Sequence, residues 1–504
     1  MLEQVYGGNH DSVDRRKSPF LPLCGVVALI FAVLLVYSQT AAFTWDEGFH
    51  LLAAQLIRQG KRPYLDFCFP QTPLNAYWNA AWMRILGDTW RAAHALSAVL
   101  TTGAVLLAAD FIRLRFPEAS WRLPGAVTTA LVLGLNVTVV EYGTIGQSYA
   151  FCLFLLVSAF RVAVVAVDRR TLPLTGVAGL LAGSAAASSL LTATAAPVLL
   201  IWILRHAPAE SRRGRLFSFT AGAVVPFLPV LWLFSQAPRT VFFNLIQYQL
   251  LYRRTNWEDA TPHDVEVLTS WLRSPTALLL GLLGALGIWF IAKRSAWKVS
   301  QRAEFYLCGW LALAIGAELS ATHPTFPSYF VLATPFLAIP ASAGLYAIAA
   351  RIRNPVRAWW LVPVLAVLLS LGLARSLHED RNRLAWRDLE AVAREVNDVT
   401  PSHGTLWADE QVYFLTRRPP VEGTEFSYAE VIDLPEDVAS SLHIVSDQAL
   451  DRQAAEGRFS TVSTCEDQDV IEHLNLPRLF RRQAAIGLRC KVFWEPTAGA
   501  PGRR

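Results

Sequence analysis

Apolar stretches about 20 residues long recur along most of this sequence, and they constrain its fold more than any other feature. A helix of that length crosses a hydrocarbon core about 30 Å thick. Eleven such stretches can be placed, at residues 21–43, 90–112, 123–140, 147–167, 172–189, 190–204, 216–235, 275–292, 303–320, 328–350 and 358–376. The stretches at 172–189 and 190–204 are short and rich in Ala, Gly and Ser, and merging them would reduce the count by one. Because 53% of the 504 residues are hydrophobic and 17% are charged, the sequence predicts an all-α polytopic membrane protein.

The basic residues fall on alternate sides of the predicted helices, which indicates how the chain is oriented. Cytoplasmic loops carry the excess of Lys and Arg in membrane proteins. One side receives the basic residues at 15–17, 113–122, 169–170, 205–215, 293–302 and 351–357, and the other side receives the loops at 44–89, 141–143, 236–274 and 322–324. This alternation predicts a multi-pass protein of the plasma (inner) membrane with its N-terminus in the cytoplasm. The positive loops account for the net charge of +5, so nucleic acid is not a predicted partner.

The chain divides into three predicted parts. Residues 1–20 form a cytoplasmic tail, residues 21–377 a membrane domain with interfacial loop segments at 44–89 and 236–274, and residues 378–504 a small extracytoplasmic α/β domain. The stretch at 21–43 is long for a signal peptide and lacks a small-x-small cleavage site, so it is predicted to be retained as an anchor helix.

Helical periodicity at 384–397 and short apolar runs at 405–408, 442–445 and 492–494 predict one helix and three strands in the C-terminal part. Cys465 and Cys490 both belong to this part and could form a disulfide or remain free.

Two adjacent carboxylates, Asp46 and Glu47, directly follow the first apolar stretch. Acidic residues at the end of a membrane helix are costly to place near lipid, and they usually serve a site or a water-filled cavity. The loop that they open is dense in Trp, Tyr, Pro and Gln, and apolar residues near 51–57 and 78–85 predict two amphipathic helices on the membrane surface. The sequence therefore predicts a cavity at the boundary of water and lipid, with Asp46 and Glu47 at its edge.

The order of motifs in this loop resembles that of a known superfamily. Asp46-Glu47 and a short helix are followed by Gly60-Lys61-Arg62-Pro63-Tyr64-Leu65-Asp66-Phe67 and then by Thr72-Pro73-Leu74-Asn75-Ala76-Tyr77-Trp78. This order resembles the GT-C superfamily of membrane glycosyltransferases, in the style of the dolichyl-phosphate-mannose protein mannosyltransferases and the lipid A aminoarabinose transferases. His323-Pro324, Tyr329-Phe330 and Pro335-Phe336 resemble the late outer turn and helix of that superfamily, and residues 409–419 resemble the outer domain that often follows.

The resemblance implies an enzyme that moves a sugar from a polyprenyl phosphate to a lipid, glycan or protein acceptor on the extracytoplasmic face, with inversion. Its catalytic carboxylate falls on Asp46, with Glu47 beside it to orient the base or to bind a sugar hydroxyl. An inverting transfer needs a base for the acceptor proton, and a carboxylate near lipid has the raised proton affinity that suits this task.

One departure from the superfamily concerns the donor phosphate. Many members carry a Lys before the Pro of the loop hairpin, and this chain has Gln71 and Thr72 there. Arg253 and Arg254, in the second large outer loop, are the candidates to replace it, because a guanidinium fork matches phosphate oxygens. The alternative is that both are solvated loop arginines.

The remaining candidates for substrate binding come from the same loop and from the neighbouring outer turns. They are Tyr64, Asp66, Gln71, Tyr77, Glu141, Tyr142, Gln147 and His323. Asp66 could instead cap the hairpin, His323 could be structural, and the tyrosines could be interfacial anchors. A single Asp-Glu pair could coordinate a divalent cation or act without one. The other functions that remain open are a non-catalytic membrane scaffold and a transporter of lipid-linked glycan.

Overall fold

The computed structural model describes residues 20–40, 45–255, 257, 259–294, 297–352, 358–379, 381, 384–465, 471, 474–487 and 489–497. Within these ranges, seven helical segments are long and apolar enough to cross a membrane. They are Phe20–Thr40, Trp90–Arg115, Ser148–Arg169, Ala209–Gln236, Pro275–Lys293, Pro327–Ala349 and Leu361–Glu379. Each of them coincides with a predicted stretch, and the chain is a multi-pass helical membrane protein. The predicted tail at 1–20 lies outside the described residues, apart from Phe20.

The described residues of the membrane part form a series of helices. They are α1 (Phe20–Thr40), α2 (Trp45–Arg58), α3 (Leu74–Leu86), α4 (Trp90–Arg115), α5 (Arg122–Gly134), α6 (Val137–Tyr142), α7 (Ser148–Arg169), α8 (Leu172–Ser188), α9 (Ala195–His206), α10 (Arg212–Val224), α11 (Leu228–Gln236), α12 (Pro238–Phe242), α13 (Ala260–Arg273), α14 (Pro275–Lys293), α15 (Val299–Ala321), α16 (Thr334–Ala349) and α17 (Leu361–Glu379). A π-helix (Phe243–Tyr252) follows α12, and a 3₁₀ helix (Pro327–Ala333) leads into α16.

Some predicted stretches are divided differently in the structure. The stretch at 123–140 is two helices, because the Asn136 side chain accepts the Thr138 N–H at 3.0 Å and so caps a new helix, α6. The stretches at 172–189 and 190–204 are α8 and α9, separated by the turn Leu190–Thr192. The stretch at 303–320 lies within α15, which carries Glu304 and Glu318 and is not among the seven apolar segments.

Charged side chains join the membrane helices at the end where α4 and α7 finish and α15 starts. Arg115 at the end of α4 pairs with Asp168 of α7 and with Glu304 of α15. Arg161 of α7 pairs with Asp110 of α4 at 3.0 Å. Partly buried ion pairs of this kind fix which helix ends lie together, since each charge needs its partner once it is desolvated.

The first large loop contains the two predicted interfacial helices, α2 and α3. The prediction began the first of them at Leu51, whereas α2 starts at Trp45 and so includes Asp46 and Glu47 in its first turn. Carboxylates in the first turn interact favourably with the positive end of the helix dipole, which explains the earlier start.

The C-terminal part contains one four-stranded sheet with the order β1-β2-β4-β3. Its strands are β1 (Leu406–Ala408), β2 (Thr461–Cys465), β3 (Phe480–Ile486) and β4 (Cys490–Pro496). β1 and β2 are parallel, and the other two pairings are antiparallel. Cys465 and Cys490 face each other across β2 and β4 and are joined by a disulfide.

Among the described residues, five helices accompany this sheet. They are α18 (Trp386–Val399), α19 (Glu410–Thr416), α20 (Glu436–Ser441), α21 (Asp447–Ala455) and α22 (Leu476–Leu479). The predicted helix at 384–397 corresponds to α18, and the predicted strands at 405–408 and 492–494 correspond to β1 and β4. The predicted strand at 442–445 is wrong. His443 has a positive φ of 57° and Ile444 donates to the Ala439 carbonyl, so this run closes the turn after α20.

The C-terminal part and the first loop share one hydrophobic core. Trp386 of α18 stacks on Trp90 with ring centroids 5.0 Å apart, and Gln55 of α2 donates to the Phe414 carbonyl at 3.3 Å. Buried apolar residues of α2 and α3 belong to the same cluster as those of α18 and α19. The C-terminal part is therefore packed directly on the helix that carries Asp46.

Candidate active site

Asp46 lies where the first loop, the membrane helices and the C-terminal part meet. Asp46 is half-buried as a residue, and its Oδ2 accepts a hydrogen bond from the Gln147 amide at 2.9 Å. Burial raises the pKa of Asp46, while the hydrogen bond from Gln147, the nearby Tyr428 hydroxyl and the charge of Arg253 act in the opposite direction. The result is a carboxylate of increased basicity.

Four tyrosines surround this carboxylate closely enough to feel its charge. They are Tyr149, Tyr248, Tyr329 and Tyr428. Tyr149 donates to the Ser328 hydroxyl at 3.1 Å, which joins the start of α7 to the 3₁₀ helix Pro327–Ala333. Aromatic rings with polar tips suit a cavity that must accept both an apolar chain and polar hydroxyl groups.

Arg253 is the cationic group of the site. It follows the π-helix Phe243–Tyr252, and such helices recur at functional sites because they redirect side chains. Its guanidinium donates to the Pro324 carbonyl at 3.0 Å and to the Tyr329 hydroxyl, and it favours the ionised form of Asp46. Arg254 is exposed, so the two neighbouring arginines are in different environments.

Glu47 is turned away from Asp46 and is completely buried. Consecutive residues of an α-helix point about 100° apart, which separates the two carboxylates. One oxygen of Glu47 accepts the Gly146 N–H at 2.8 Å and contacts His94 Nε2, while the other oxygen has no hydrogen-bond partner. Because Gly146 precedes Gln147, Glu47 fixes the backbone that presents the Gln147 amide to Asp46.

The C-terminal part supplies one wall of the site. Glu410 is buried, and its Oε1 accepts from the Ser427 N–H at 2.8 Å and from the Ser427 hydroxyl at 2.9 Å. Burial raises the pKa of Glu410, and the Ser427 hydrogen bonds oppose that increase. Gln411 lies against α2 at Gly48, where a Cβ would be 2.8 Å from the Gln411 side chain.

Asp66, Tyr64 and His323 make their described hydrogen bonds within the outer loops, and none of these bonds involves Asp46. Asp66 is bonded to the Arg62 backbone and guanidinium, which holds the hairpin together and lowers the pKa of Asp66. Tyr64 is buried and donates to the Gln71 carbonyl at 2.6 Å. His323 contacts Asp264, which also accepts the Thr325 N–H. These contacts stabilise the conformations of the two outer loops.

Three further candidates lie on the helices close to the site. Glu141 is buried at the end of α6, and Tyr142 packs edge-on against Tyr149 with centroids 6.2 Å apart. Tyr77 is partly buried on α3, and burial raises the pKa of its hydroxyl. Among the residues that the structure describes, no group of three or more His, Cys, Asp or Glu side chains could hold a metal ion.

The fold was compared with proteins of known structure. Neither a family model nor a curated protein matches the sequence. ArnT from Cupriavidus metallidurans, in its crystal structure bound to undecaprenyl phosphate, superposes with a TM-score of 0.68 at 16% identity, over 96% of this chain and 100% of that one. The oligosaccharyltransferase AglB from Archaeoglobus fulgidus, in complex with an inhibitory peptide and a dolichol-phosphate, gives a TM-score of 0.52 at 12% identity, over 91% and 71% of the two chains.

The chain has the GT-C fold. The fold resemblance that the loop motifs indicated is thereby confirmed along nearly the whole sequence, including the C-terminal part. The GT-C fold brings the loop after the first helix together with the later outer turns. That arrangement explains why Asp46, Gln147 and Arg253 meet although they are far apart in sequence.

The sequence interpretation missed several residues around Asp46. Tyr149 could have been found, because it follows Gln147 by two positions at the start of α7. Tyr428 and Glu410 carry no local signal, since only the packing of the C-terminal part on α2 brings them to Asp46. His94 was also missed, because a single His in an apolar helix is not distinctive until its partner is known.

Proposed function

We propose that this protein is a membrane glycosyltransferase that moves a sugar from a polyprenyl-phosphate donor to an acceptor on the extracytoplasmic face. The observation that carries the proposal is the pairing of a carboxylate of raised pKa, Asp46, with a nearby guanidinium, Arg253, among several tyrosine side chains. The lipid phosphates named in the ArnT and AglB structures are the class of ligand expected here.

In the proposed reaction, Asp46 accepts the proton of the acceptor hydroxyl while that oxygen attacks the anomeric carbon. The bond from that carbon to the phosphate oxygen breaks on the opposite face, so the configuration inverts and polyprenyl phosphate leaves. Arg253 and the Tyr329 hydroxyl hold the phosphate oxygens, where negative charge increases as the bond breaks. Gln147 and Glu47 keep the carboxylate in position, and the sugar and the acceptor are left unspecified by this chemistry.

The proposed topology has eleven crossings, with residues 21–377 as the membrane domain and residues 378–504 outside. Support comes from the contacts at the two ends of the helices: Arg115, Asp168 and Glu304 meet at one end, and Asp46, Gln147 and Tyr329 meet at the other. The disulfide of the C-terminal part favours an oxidising, extracytoplasmic compartment.

The proposal is tested by transfer from radiolabelled polyprenyl-phosphate sugars to membrane extract, using purified wild type and Asp46→Asn. Asparagine keeps the size of the side chain but cannot take a proton, so we expect a loss of about 100-fold or more in turnover. Donor binding and the melting temperature should remain near those of wild type. If wild type transfers no sugar from any donor of the panel, or if Asp46→Asn transfers it normally, the proposal is wrong.

The same transfer assay also tests whether Arg253 binds the phosphate of the donor. The adjacent Arg254 provides a matched control. Arg253→Gln removes the charge that faces the site, and we expect KM for the donor to rise about 10-fold or more. Arg254→Gln removes the same charge from an exposed position and should leave KM within about twofold of wild type. Equal effects of the two substitutions would mean that phosphate is held elsewhere.

A further inference from the structure

His94 lies on α4 and belongs to a group of buried polar side chains beside the candidate site. Its ring is completely buried, as are Ser38 near the end of α1 and Glu47 in the first turn of α2. Trp386, at the start of α18, is buried against the same ring. The imidazole therefore lies at a junction between three helices of the membrane part and the first helix of the C-terminal part.

The contacts of the two ring nitrogens of His94 show where the protons lie. Nδ1 is 2.6 Å from the Ser38 carbonyl oxygen, which can only accept a hydrogen bond, so Nδ1 carries a proton. Nε2 is within hydrogen-bonding distance of Glu47 Oε1, and an ionised carboxylate has no proton of its own to donate. One further proton must therefore lie between Nε2 and Oε1, either on the imidazole or on the carboxyl group.

This shared proton makes the pair of Glu47 and His94 neutral as a whole. The pair is either an imidazolium beside a carboxylate or a neutral imidazole beside a carboxylic acid, and both descriptions have zero net charge. An unpaired charge would be costly here, because neither side chain is exposed to solvent. The pair also adds no net negative charge next to Asp46, which limits the repulsion between the neighbouring acids.

The pair is connected to Asp46 through the backbone of the segment before α7. The Oε1 atom of Glu47 that contacts His94 also accepts the Gly146 N–H at 2.8 Å. The next residue is Gln147, whose amide donates to Asp46 Oδ2 at 2.9 Å. A Cβ on Gly146 would lie 3.0 Å from the same Glu47 oxygen, so the backbone passes directly against the carboxyl group. The position of that carboxyl group therefore determines where the Gln147 amide lies.

The C-terminal part contacts the same pair through Trp386. Its indole N–H is directed at His94 Nε2, 3.2 Å away, and its ring stacks on Trp90 with centroids 5.0 Å apart. The Trp90 indole donates in turn to Glu390 of α18 at 2.7 Å. Docking of α18 therefore covers the imidazole and restricts its orientation.

We propose that His94 is a positioning residue, which shares one buried proton with Glu47 and thereby fixes the segment that holds Gln147 against Asp46. This inference rests on the proposed function, in which Asp46 takes the acceptor proton. Because its ring is buried, His94 acts through the carboxyl group of Glu47 and does not contact substrate. The C-terminal part contributes to the position of the base, since Trp386 covers the same ring.

The shared proton is tested by nitrogen NMR of protein labelled at histidine, in lipid bilayers. Nitrogen chemical shifts distinguish a ring nitrogen that carries a proton from one that shares it or lacks it. The signals of His94 are identified as those that His94→Gln removes. In wild type we expect a protonated Nδ1, and an Nε2 signal that shifts in Glu47→Gln, because an amide group cannot exchange a proton with the ring. His94 signals that are the same in wild type and Glu47→Gln would overturn the proposal.

The positioning role is tested in the transfer assay with two substitutions of His94. For His94→Leu, which removes both nitrogens, kcat per folded molecule should fall about 10-fold while KM for the donor stays within about twofold, because Arg253 is untouched. His94→Gln keeps an N–H that can donate to Glu47 and should recover most of the lost kcat. Equal losses in the two variants, or an unchanged kcat in His94→Leu, would overturn the positioning role and leave the transferase proposal intact. If His94→Leu does not fold, the nitrogen signals decide.

His206→Leu is the matched control. His206, at the end of α9, also has its Nδ1 against a backbone carbonyl, that of Trp202 at 2.8 Å, and it packs on the Trp202 ring. Its described ring contacts involve no carboxyl group, so kcat and the His94 signals should be unchanged in this variant. A wild type without any transfer would remove the proposed function itself, whereas the nitrogen signals would still report the shared proton.

Discussion

At the residue scale, the adjacent acids Asp46 and Glu47 have different surroundings. Asp46 is partly exposed and has amide, phenol and guanidinium groups around it. Glu47 is buried against Gly146 and His94, and His94 in turn contacts the Ser38 carbonyl and the Trp386 indole. The pair could be found from sequence, because acids beside an apolar stretch are unusual. The division of roles could not, since it depends on which way each side chain leaves α2.

Glu47→Ala should therefore behave as a structural change rather than as the loss of a base. It leaves the buried Gly146 N–H and His94 without their carboxylate, which costs about 1–3 kcal/mol of stability. We expect a lower melting temperature together with reduced turnover, whereas Glu47→Gln, whose amide oxygen can still accept from Gly146, should retain more of both. Melting curves in detergent, read beside the transfer assay, provide the comparison. A Glu47→Ala protein that melts like wild type but transfers no sugar would assign Glu47 to the chemistry.

At the element scale, the segment between α6 and α7 shows why the site could be predicted only in part. Residues 143–147 are not helical, and side chains of α3 and α4 donate to three of their carbonyls. Asn79 donates to Gly146, Ser97 to Ile145 and Thr101 to Gly143. Irregular backbone beside a membrane is stable only with such partners. Hydropathy predicted the turn, but these donors are distant in sequence and carry no periodic signal.

The same reasoning explains which elements the sequence predicted. Long apolar helices are a local signal, and α1, α4, α7 and α14 lie where hydropathy placed them. The strands β2 and β3 were missed, because β2 is a short run with buried Thr and Ser and β3 is mostly exposed. Those strands are specified by pairing with β4 and by the disulfide, which are contacts between distant residues.

The segment at 143–147 leads to a prediction about glycine. A Cβ on Gly143 would lie 2.5 Å from the Val139 carbonyl oxygen and 2.9 Å from Thr101 Oγ1. Gly143→Ala should cost about 1–3 kcal/mol and should reduce turnover, because the same segment carries Gln147 to Asp46. Gly281→Ala on α14 is the control, since nothing lies within 4 Å of its Cβ and alanine favours the helix. Similar melting temperatures for the two variants would show that the segment adapts without strain.

At the scale of the whole molecule, one end of the helical bundle carries the candidate chemistry and the other carries ion pairs between helix ends. The loop helices α2 and α3, the outer turns and the C-terminal part meet around Asp46. Contacts between the C-terminal part and α2 require both to be on the same side of the membrane, so the number of crossings between them must be even. With α1 before α2, the proposed total of eleven satisfies that condition.

Single cysteines introduced at exposed positions test this arrangement directly. Lys61 belongs to the first loop, Arg452 to α21 and Arg213 to the first turn of α10, and all three are exposed. Of the native unpaired cysteines, Cys68, Cys152 and Cys308 are buried and should contribute little labelling, and Cys24 is half-buried in α1, so the unsubstituted protein is labelled beside the variants. In intact cells, a membrane-impermeant maleimide should label Lys61→Cys and Arg452→Cys, while Arg213→Cys should react only after permeabilisation. Labelling of Lys61→Cys and Arg452→Cys from opposite sides would contradict the packing of the C-terminal part on α2.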